Sequence, residues 1–216
     1  MVLQAIKYSR GQLEILDQLK LPHAEEYDGI YSSTDAWHAI KDMRTRGAPA
    51  IAIVAALALA VELTNTKLSS VAEEVKIFIT EKLDYLVTSR PTAVNLADAA
   101  GKLRKITEEA AASEGASGEA VREAYVAAAE KMLVDDVSDN ENIGKHGAEW
   151  IMKNTEAGKQ GPVSMMTHCN TGCVRFCIRY FQLLIVQIPR NCRIWYSAWS
   201  DPISTCQWIV EARLLL

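Results

Sequence analysis

The sequence lacks most of the signatures from which a function is read directly. Its 216 residues contain no Walker phosphate loop, no G-x-G-x-x-G dinucleotide fingerprint and no G-x-S-x-G nucleophile elbow, so no nucleotide is implied. No run reaches the roughly 18 apolar residues that a membrane span needs. The start, Met1-Val2-Leu3-Gln4-Ala5, lacks the basic-then-apolar order of a signal peptide. Neither sign of charge dominates: 23 basic residues against 27 acidic ones leave a net charge of −4, which offers no general attraction for nucleic acid or an anionic membrane. A small anionic ligand would need local arginines. The expectation is a soluble intracellular protein without nucleic-acid or membrane partners. What is present is a hydrophobic share of 49%, enough to fill the core of one large domain or two small ones.

Along the chain, Gln4 to Asp17 alternates apolar and polar residues around Ser9-Arg10-Gly11, which predicts a β-hairpin. Ser32-Ser33-Thr34-Asp35 supplies N-cap candidates for a helix carrying Ala36, Trp37, Ile40 and Met43 on one face. Arg46-Gly47-Ala48-Pro49 interrupts it, and Pro49 suits the first turn of the next helix. The run Ile51 to Val61 is apolar on every side and predicts a buried helix too short to cross a bilayer. Helical periodicity continues from Ser69 to Val87 and from Thr92 to Ala112, broken at Arg90-Pro91. Glu119 to about Lys153 reads as one or two helices, punctuated by the polar stretch Asp135 to Asn140. Lys159-Gln160-Gly161-Pro162 is a linker, and Val163 to Thr167 a short strand running into Cys169-Asn170-Thr171-Gly172, as at the start of an α/β domain.

Past Gly172 the pattern changes. The last 44 residues hold no Lys, no Gly and two Ala, but three of the five Trp and four of the five Cys. Five Arg against Asp201 and Glu211 give this tail +3, where the first 172 residues carry −7. No helix or strand period is visible beyond Ile188.

Three places could carry chemistry. Arg46-Gly47-Ala48 combines a guanidinium, a residue free to take unusual backbone angles, and amides at a helix start, which is phosphate-binding hardware. Read alone, it is equally a proline-started helix beside a solvated arginine. Arg90 before Pro91 repeats the logic, and the two together point to one shared anion site. Cys169 closes a strand and opens a polar loop, where nearby cations or helix dipoles could lower the pKa of its thiol. It is a candidate acid or base, the alternative being an inert buried thiol. His168 points the other way along an extended segment and is a poor partner for it. His168, Cys169, Cys173 and Cys177 have the spacing of a zinc cluster, but two of the four lie in the anomalous tail, so no metal is expected. His23, His38 and His146 are isolated, and Glu73-Glu74, Glu108-Glu109 and Asp135-Asp136 are solvated helix faces.

Taken together, Leu3-Gln4-Ala5-Ile6-Lys7-Tyr8 with Leu13-Glu14-Ile15-Leu16-Asp17-Gln18, Arg46-Gly47-Ala48-Pro49-Ala50-Ile51, Arg90-Pro91-Thr92-Ala93-Val94-Asn95 and Thr167-His168-Cys169-Asn170-Thr171-Gly172 resemble the methylthioribose-1-phosphate isomerases of methionine salvage. The resemblance implies an α+β chain. Residues 1–158 would form a mainly helical domain with a small N-terminal β element, and 159–172 a linker and the first strand of a truncated Rossmann-like domain. It implies conversion of an aldose 1-phosphate to the ketose 1-phosphate, with a sugar phosphate as ligand and no cofactor or metal. Arg46, Gly47, Ala48 and Arg90 would hold the phosphate, and Cys169 would be catalytic. The full-length family implies a homodimer, in the cytoplasm with the nucleus as a second location. An aspartate acid and an Asn-Lys pair, which the family carries in its second domain, have no counterpart here, so this chain is expected to be a truncated, inactive form. Related families supply the alternatives: regulatory subunits of a translation-initiation exchange factor, and ribose-bisphosphate isomerases. Residues 173–216 would be an aberrant tail. Read one base later, the codons of Ile188 to Ser204 can encode F-L-A-T-A-G-Y-G-T-A-L-G-V-I-R-S, close to the family's continuation. A retained intron over Cys173 to Gln187 would account for the shift.

Overall fold

The computed structural model describes residues 4–21 and 23–154, together with two strands at 192–198 and 208–214. The chain divides into two compact units, Gln4–Asp135 and a second that takes in Asp136–Leu216.

The first unit opens with a three-stranded antiparallel sheet, β1 (Ile6–Ser9), β2 (Gln12–Leu16) and β3 (Tyr27–Ile30), in the order β1-β2-β3. Ser9 pairs with Gln12, leaving Arg10-Gly11 as a two-residue turn in which Gly11 has φ +83, a conformation that a side chain disfavours. Leu13, Ile15 and Leu16 of β2 are buried while Gln12 and Glu14 are exposed, the alternation that marks one wet and one dry face. β3 is a difference from the sequence expectation. Tyr27-Asp28-Gly29-Ile30 contains two poor strand formers, and it is extended because β2 offers an open edge, with Leu13 opposite Ile30.

Five helices follow: α1 (Ser33–Lys41), α2 (Ala48–Asn65), α3 (Ala72–Thr88), α4 (Val94–Ala111) and α5 (Gly118–Asn154). α1 starts where its cap was expected. The Ser32 hydroxyl accepts from Asp35 N (3.2 Å) and donates to the Asp35 carboxylate (2.9 Å), which also accepts from Tyr31 N. α2 is the core. Ala50 to Val61 and Leu63 are all buried, so an all-apolar sequence is matched by neighbours on every side. The helix is longer than the apolar run from which it was expected. Its 18 residues equal a membrane span in length and composition, but protein, not lipid, covers it. α3 buries the stripe Val75, Ile79, Leu83 and Leu86, and α4 buries Leu96, Ala99, Ala100, Leu103 and Thr107. The question of one helix or two after Glu119 resolves as one continuous helix of 37 residues.

Four contacts fix the relative directions of α1 to α4. Ser33 at the start of α1 donates to Glu62 near the end of α2 (2.7 Å from N), so these two run antiparallel. Lys82 of α3 reaches the same Glu62 (2.6 Å). Trp37 Nε1 donates to Thr88 Oγ1 (2.9 Å), so α3 runs beside α1 in the same sense. Asp84 pairs with Arg104, which makes α3 and α4 an antiparallel hairpin. The ends of α1 and α3 and the starts of α2 and α4 therefore lie at one end of the bundle.

In the second unit β4 (Cys192–Ala198) and β5 (Trp208–Leu214) pair antiparallel, Cys192 opposite Leu214 and Ala198 opposite Trp208. These strands form where the sequence shows no helix or strand period, beyond Ile188. Ile194, Trp195, Tyr196, Ile209 and Val210 are strong strand formers whose composition favours extension without any period-two alternation to signal it. The strand expected at Val163 to Thr167 lies outside the described residues.

Candidate anion site at the helix starts

The shared end of α1 to α4 holds both candidate arginines: Arg46 directly precedes the N-cap of α2, and Arg90 lies three residues before the N-cap of α4, which starts at Val94 rather than at Pro91. α1 stops with Met43 N donating to Ile40 O (3.2 Å) and Arg44 N to Ala39 O (2.9 Å), the two-bond pattern that reverses a chain through a left-handed residue. That residue is Met43, at φ 62, where glycine would be expected. A side chain in this conformation costs roughly 1–2 kcal/mol. Gln18 N donates to Arg44 O (2.9 Å), and the Arg44 guanidinium meets Asp28 (2.6 Å), so the turned segment is anchored to the sheet.

Gly47 then caps α2 with φ 99 and ψ 130, a backbone that only glycine adopts without strain. No side chain caps this helix, and Pro49 in its first turn has no N–H to offer. The amides of Gly47 and Ala48, with Ala48 exposed, are thus left at the positive end of an 18-residue helix. α4 begins in the same way: Ala93 is its N-cap, without a side-chain bond, and Ala93 N donates to Arg90 O (2.9 Å). The carbonyl ends of α1 and α3 share this end, but their negative partial charge is blunted. Asp42 N, Met43 N and Arg44 N engage the last carbonyls of α1, and Ser89 engages Leu86 O through both N (3.1 Å) and Oγ (2.6 Å).

Arg46 and Arg90 are both half-buried. Arg46 Nε donates to Met43 O (3.1 Å). Among the described residues neither guanidinium is in an ion pair, in contrast to Arg10, Arg44, Arg104 and Arg122. Arg46, Gly47, Ala48 and Arg90 thus lie toward the same end of the bundle, near two helix starts that no side chain caps. Cys169, and with it the candidate acid or base, lies outside the described residues, as do His168 and Cys173. Met43, expected on one face of the helix with Ala36, Trp37 and Ile40, instead lies beyond the end of α1 in a left-handed backbone. A methionine carries no sequence signal for a left-handed backbone, and here the conformation is set by the hydrogen bonds of its neighbours.

At the opposite end, Glu62 joins three helices. Its carboxylate accepts from Ser33 N (2.7 Å), Ser33 Oγ (2.5 Å) and Lys82 Nζ (2.6 Å). Burial pushes its pKa up, but these hydrogen bonds and the Lys82 charge outweigh it and hold the carboxyl below its ordinary value.

Comparison with known proteins places these features in context. The Initiation factor 2 subunit family model matches residues 44–184, more than half of the chain and inclusive of both arginine motifs and Cys169. Over 172 residues the chain is 91% identical to a methylthioribose-1-phosphate isomerase of Pyrenophora tritici-repentis, a match that covers 80% of this chain and 44% of the relative. It is 59% identical over 176 residues to the enzyme of that name in Aspergillus terreus, covering 80% and 46%. Among solved structures, 5-methylthioribose 1-phosphate isomerase from Pyrococcus horikoshii OT3 superposes with a TM-score of 0.61 at 29% identity, covering 68% of this chain and 40% of that one. Subunit delta of translation initiation factor eIF-2B from A. fulgidus superposes with a TM-score of 0.59 at 32% identity, covering 68% and 41%. The chain spans less than half the length of these relatives.

Proposed function

Because the chain belongs to the Initiation factor 2 subunit family, we propose that it derives from a methylthioribose-1-phosphate isomerase and forms the phosphate-holding part of that enzyme's site. The observation that carries this reading is the pair of uncapped helix starts at one end of the bundle, each preceded by an arginine that, among the described residues, no carboxylate neutralises. A phosphate monoester there meets helix-start amides and two guanidinium forks, each able to donate two parallel bonds. The eIF-2B subunit has the same fold to a similar TM-score, so the fold alone does not separate isomerase from regulatory subunit. The 91% identity to a protein named as the isomerase favours the enzyme.

The chemistry of this reading constrains the site. In an aldose 1-phosphate O1 carries the phosphate, so the ring cannot open as a simple hemiacetal. The site must anchor the phosphate while assisting ring opening and moving a hydrogen from C2 to C1. Cys169 is the acid or base of this proposal. A proton delivered opposite the one removed needs a second group, and the aspartate and Asn-Lys pair that the resemblance implies for it have no counterpart among these 216 residues. The proposal is therefore a chain that binds phosphate without isomerising. The homodimer of the full-length family, and its cytoplasmic and nuclear location, belong to the same proposal.

Two measurements test it. Inorganic phosphate should shift the backbone amide resonances of Gly47, Ala48 and Ala93, and the absence of any shift overturns the anion site. A coupled assay for ketose phosphate should read background with this chain and turn over when the frame is restored past Gly172. Turnover by the 216-residue chain, abolished by Cys169→Ala, overturns the inactive reading.

A further inference from the structure

We propose that Met43 is a positioning residue for Arg46, its left-handed backbone turning its own carbonyl onto the Arg46 guanidinium. The inference rests on the anion reading above for what the oriented group then binds. Three observations carry it. The end of α1 occupies the His38, Ala39 and Ile40 carbonyls with Asp42 N, Arg44 N and Met43 N, so the Met43 carbonyl, swung out of the helical ladder by φ 62, is free for another donor. Arg46 Nε takes it at 3.1 Å. Met43 is the one non-glycine residue with positive φ among those described, and it is 39% exposed, so burial does not explain a strained residue at this point.

The consequence is geometric. A guanidinium held through Nε loses free rotation about its last torsions, and its two Nη groups stay together on the outer edge, the edge that meets two oxygens of a phosphate in parallel. The tether spans only the turn from Met43 to Arg46, so Arg46 is oriented before any anion arrives, and less ordering remains to be done on binding. Arg90 has no such tether among the described residues. The two arginines therefore differ: Arg46 sets direction, and Arg90 adds charge.

The test separates the tether from the anion site. In the 216-residue chain without phosphate, hydrogen exchange at the Arg46 Nε–H should be several-fold slower than at the Arg90 Nε–H, by side-chain NMR. Asparagine and glycine tolerate the left-handed conformation, so Met43→Asn and Met43→Gly should retain that protection. Met43→Val should lose it, because a β-branched residue resists this backbone. Affinity for inorganic phosphate should fall about tenfold in Met43→Val. It should stay within about twofold of the parent in Met43→Asn, and Met43→Val should add no further loss in an Arg46→Lys background. If Met43→Val does not fold, the exchange rates in the parent chain and in Met43→Asn still decide. Exchange at Arg46 as fast as at Arg90 in the parent, or protection and affinity both unchanged in a folded Met43→Val, overturns the proposal. Protection at Arg46 with no response to phosphate supports the tether and overturns the anion reading instead.

Discussion

α2 and α5 are both long helices of one chain, and they are stabilised in opposite ways. α2 is apolar around its whole circumference and buries 13 of its 18 residues, so it exists because α1, α3, α4 and the sheet surround it. α5 buries Val121, Tyr125, Val126, Ala129 and Ala148 over 37 residues. Toward its end it is held by contacts within itself: Lys131 with Asp135 (2.6 Å), Asn140 Nδ2 on Asp136 O (2.7 Å), His146 with Glu149 (3.7 Å) and Asn154 Nδ2 on Trp150 O (2.8 Å). Val134, Ile143 and Trp150 are more than half exposed. Stability in α2 is collective and follows apolar area, whereas the contacts named here in the second half of α5, among the described residues, are short-range pairs worth a few tenths of a kcal/mol each. The proposed anion site is at the start of α2, the most extensively buried helix of the unit.

The comparison is broken most sharply by deleting atoms from α2. Leu57 is fully buried, and Leu57→Ala should cost about 2–5 kcal/mol in urea denaturation, since the neighbours collapse only partly into the cavity. A loss under about 1 kcal/mol would mean that α2 is loosely packed.

Glu62→Ala should come next, at roughly 1–3 kcal/mol, because it strands the Ser33 donors and the Lys82 charge. Its pH dependence has a definite sign. The folded carboxyl sits below its ordinary value of 4.5, so its contribution is present above that pH and disappears as pH falls through the lower, folded value. The gap between parent and variant should therefore be full at pH 7 and closed in strong acid, and a gap that widens on acidification would contradict the network.

On α5 the effects should shrink, and one should reverse. Burial, with the neighbouring Asp139 charge, pushes the Asp136 carboxyl up to about 6 from an ordinary 3.8. A raised carboxyl favours the fold at low pH and opposes it once ionised. Asp136→Asn should therefore stabilise the chain at pH 7, by no more than about 1 kcal/mol after solvent screening, and should remove the parent's gain in stability as pH falls from 6 toward 4. A destabilised Asn variant at pH 7 would show that the carboxylate has a partner worth keeping. The smallest effect is expected at Val134, 66% exposed, where Val134→Ser should change the unfolding free energy from urea denaturation by no more than about 0.5 kcal/mol. A larger loss would show that this residue is covered in solution.

Much of the fold was legible because local chemistry and tertiary demand agree. Ser32 and Asp35 cap α1, Arg10-Gly11 turns the hairpin, and Arg90-Pro91 separates α3 from α4, each by a rule that operates within a few residues. β3 was not legible, since Tyr27 to Ile30 becomes a strand by borrowing the edge of β2. The hairpin of β4 and β5 was missed for a different reason: its strand formers do not alternate, and periodicity was the signal used. At the site, Arg46, Gly47, Ala48 and Arg90 were readable as residue types suited to an anion, from local sequence and from resemblance.

The sequence by itself determined the identities of those four residues, the apolar character of α2, and the breaks that let helices start at Gly47 and Ala93. These are properties of a residue and its near neighbours, and they survive being written in one dimension. Only the tertiary structure decided that residues more than forty positions apart share one end of a bundle, since that depends on the directions fixed by Ser33 with Glu62, Trp37 with Thr88 and Asp84 with Arg104. It alone decided that Met43 takes a left-handed backbone and meets Arg46, because the cost of that conformation is balanced by hydrogen bonds to Ala39 and Ile40 and by the anchoring of Arg44 to the sheet.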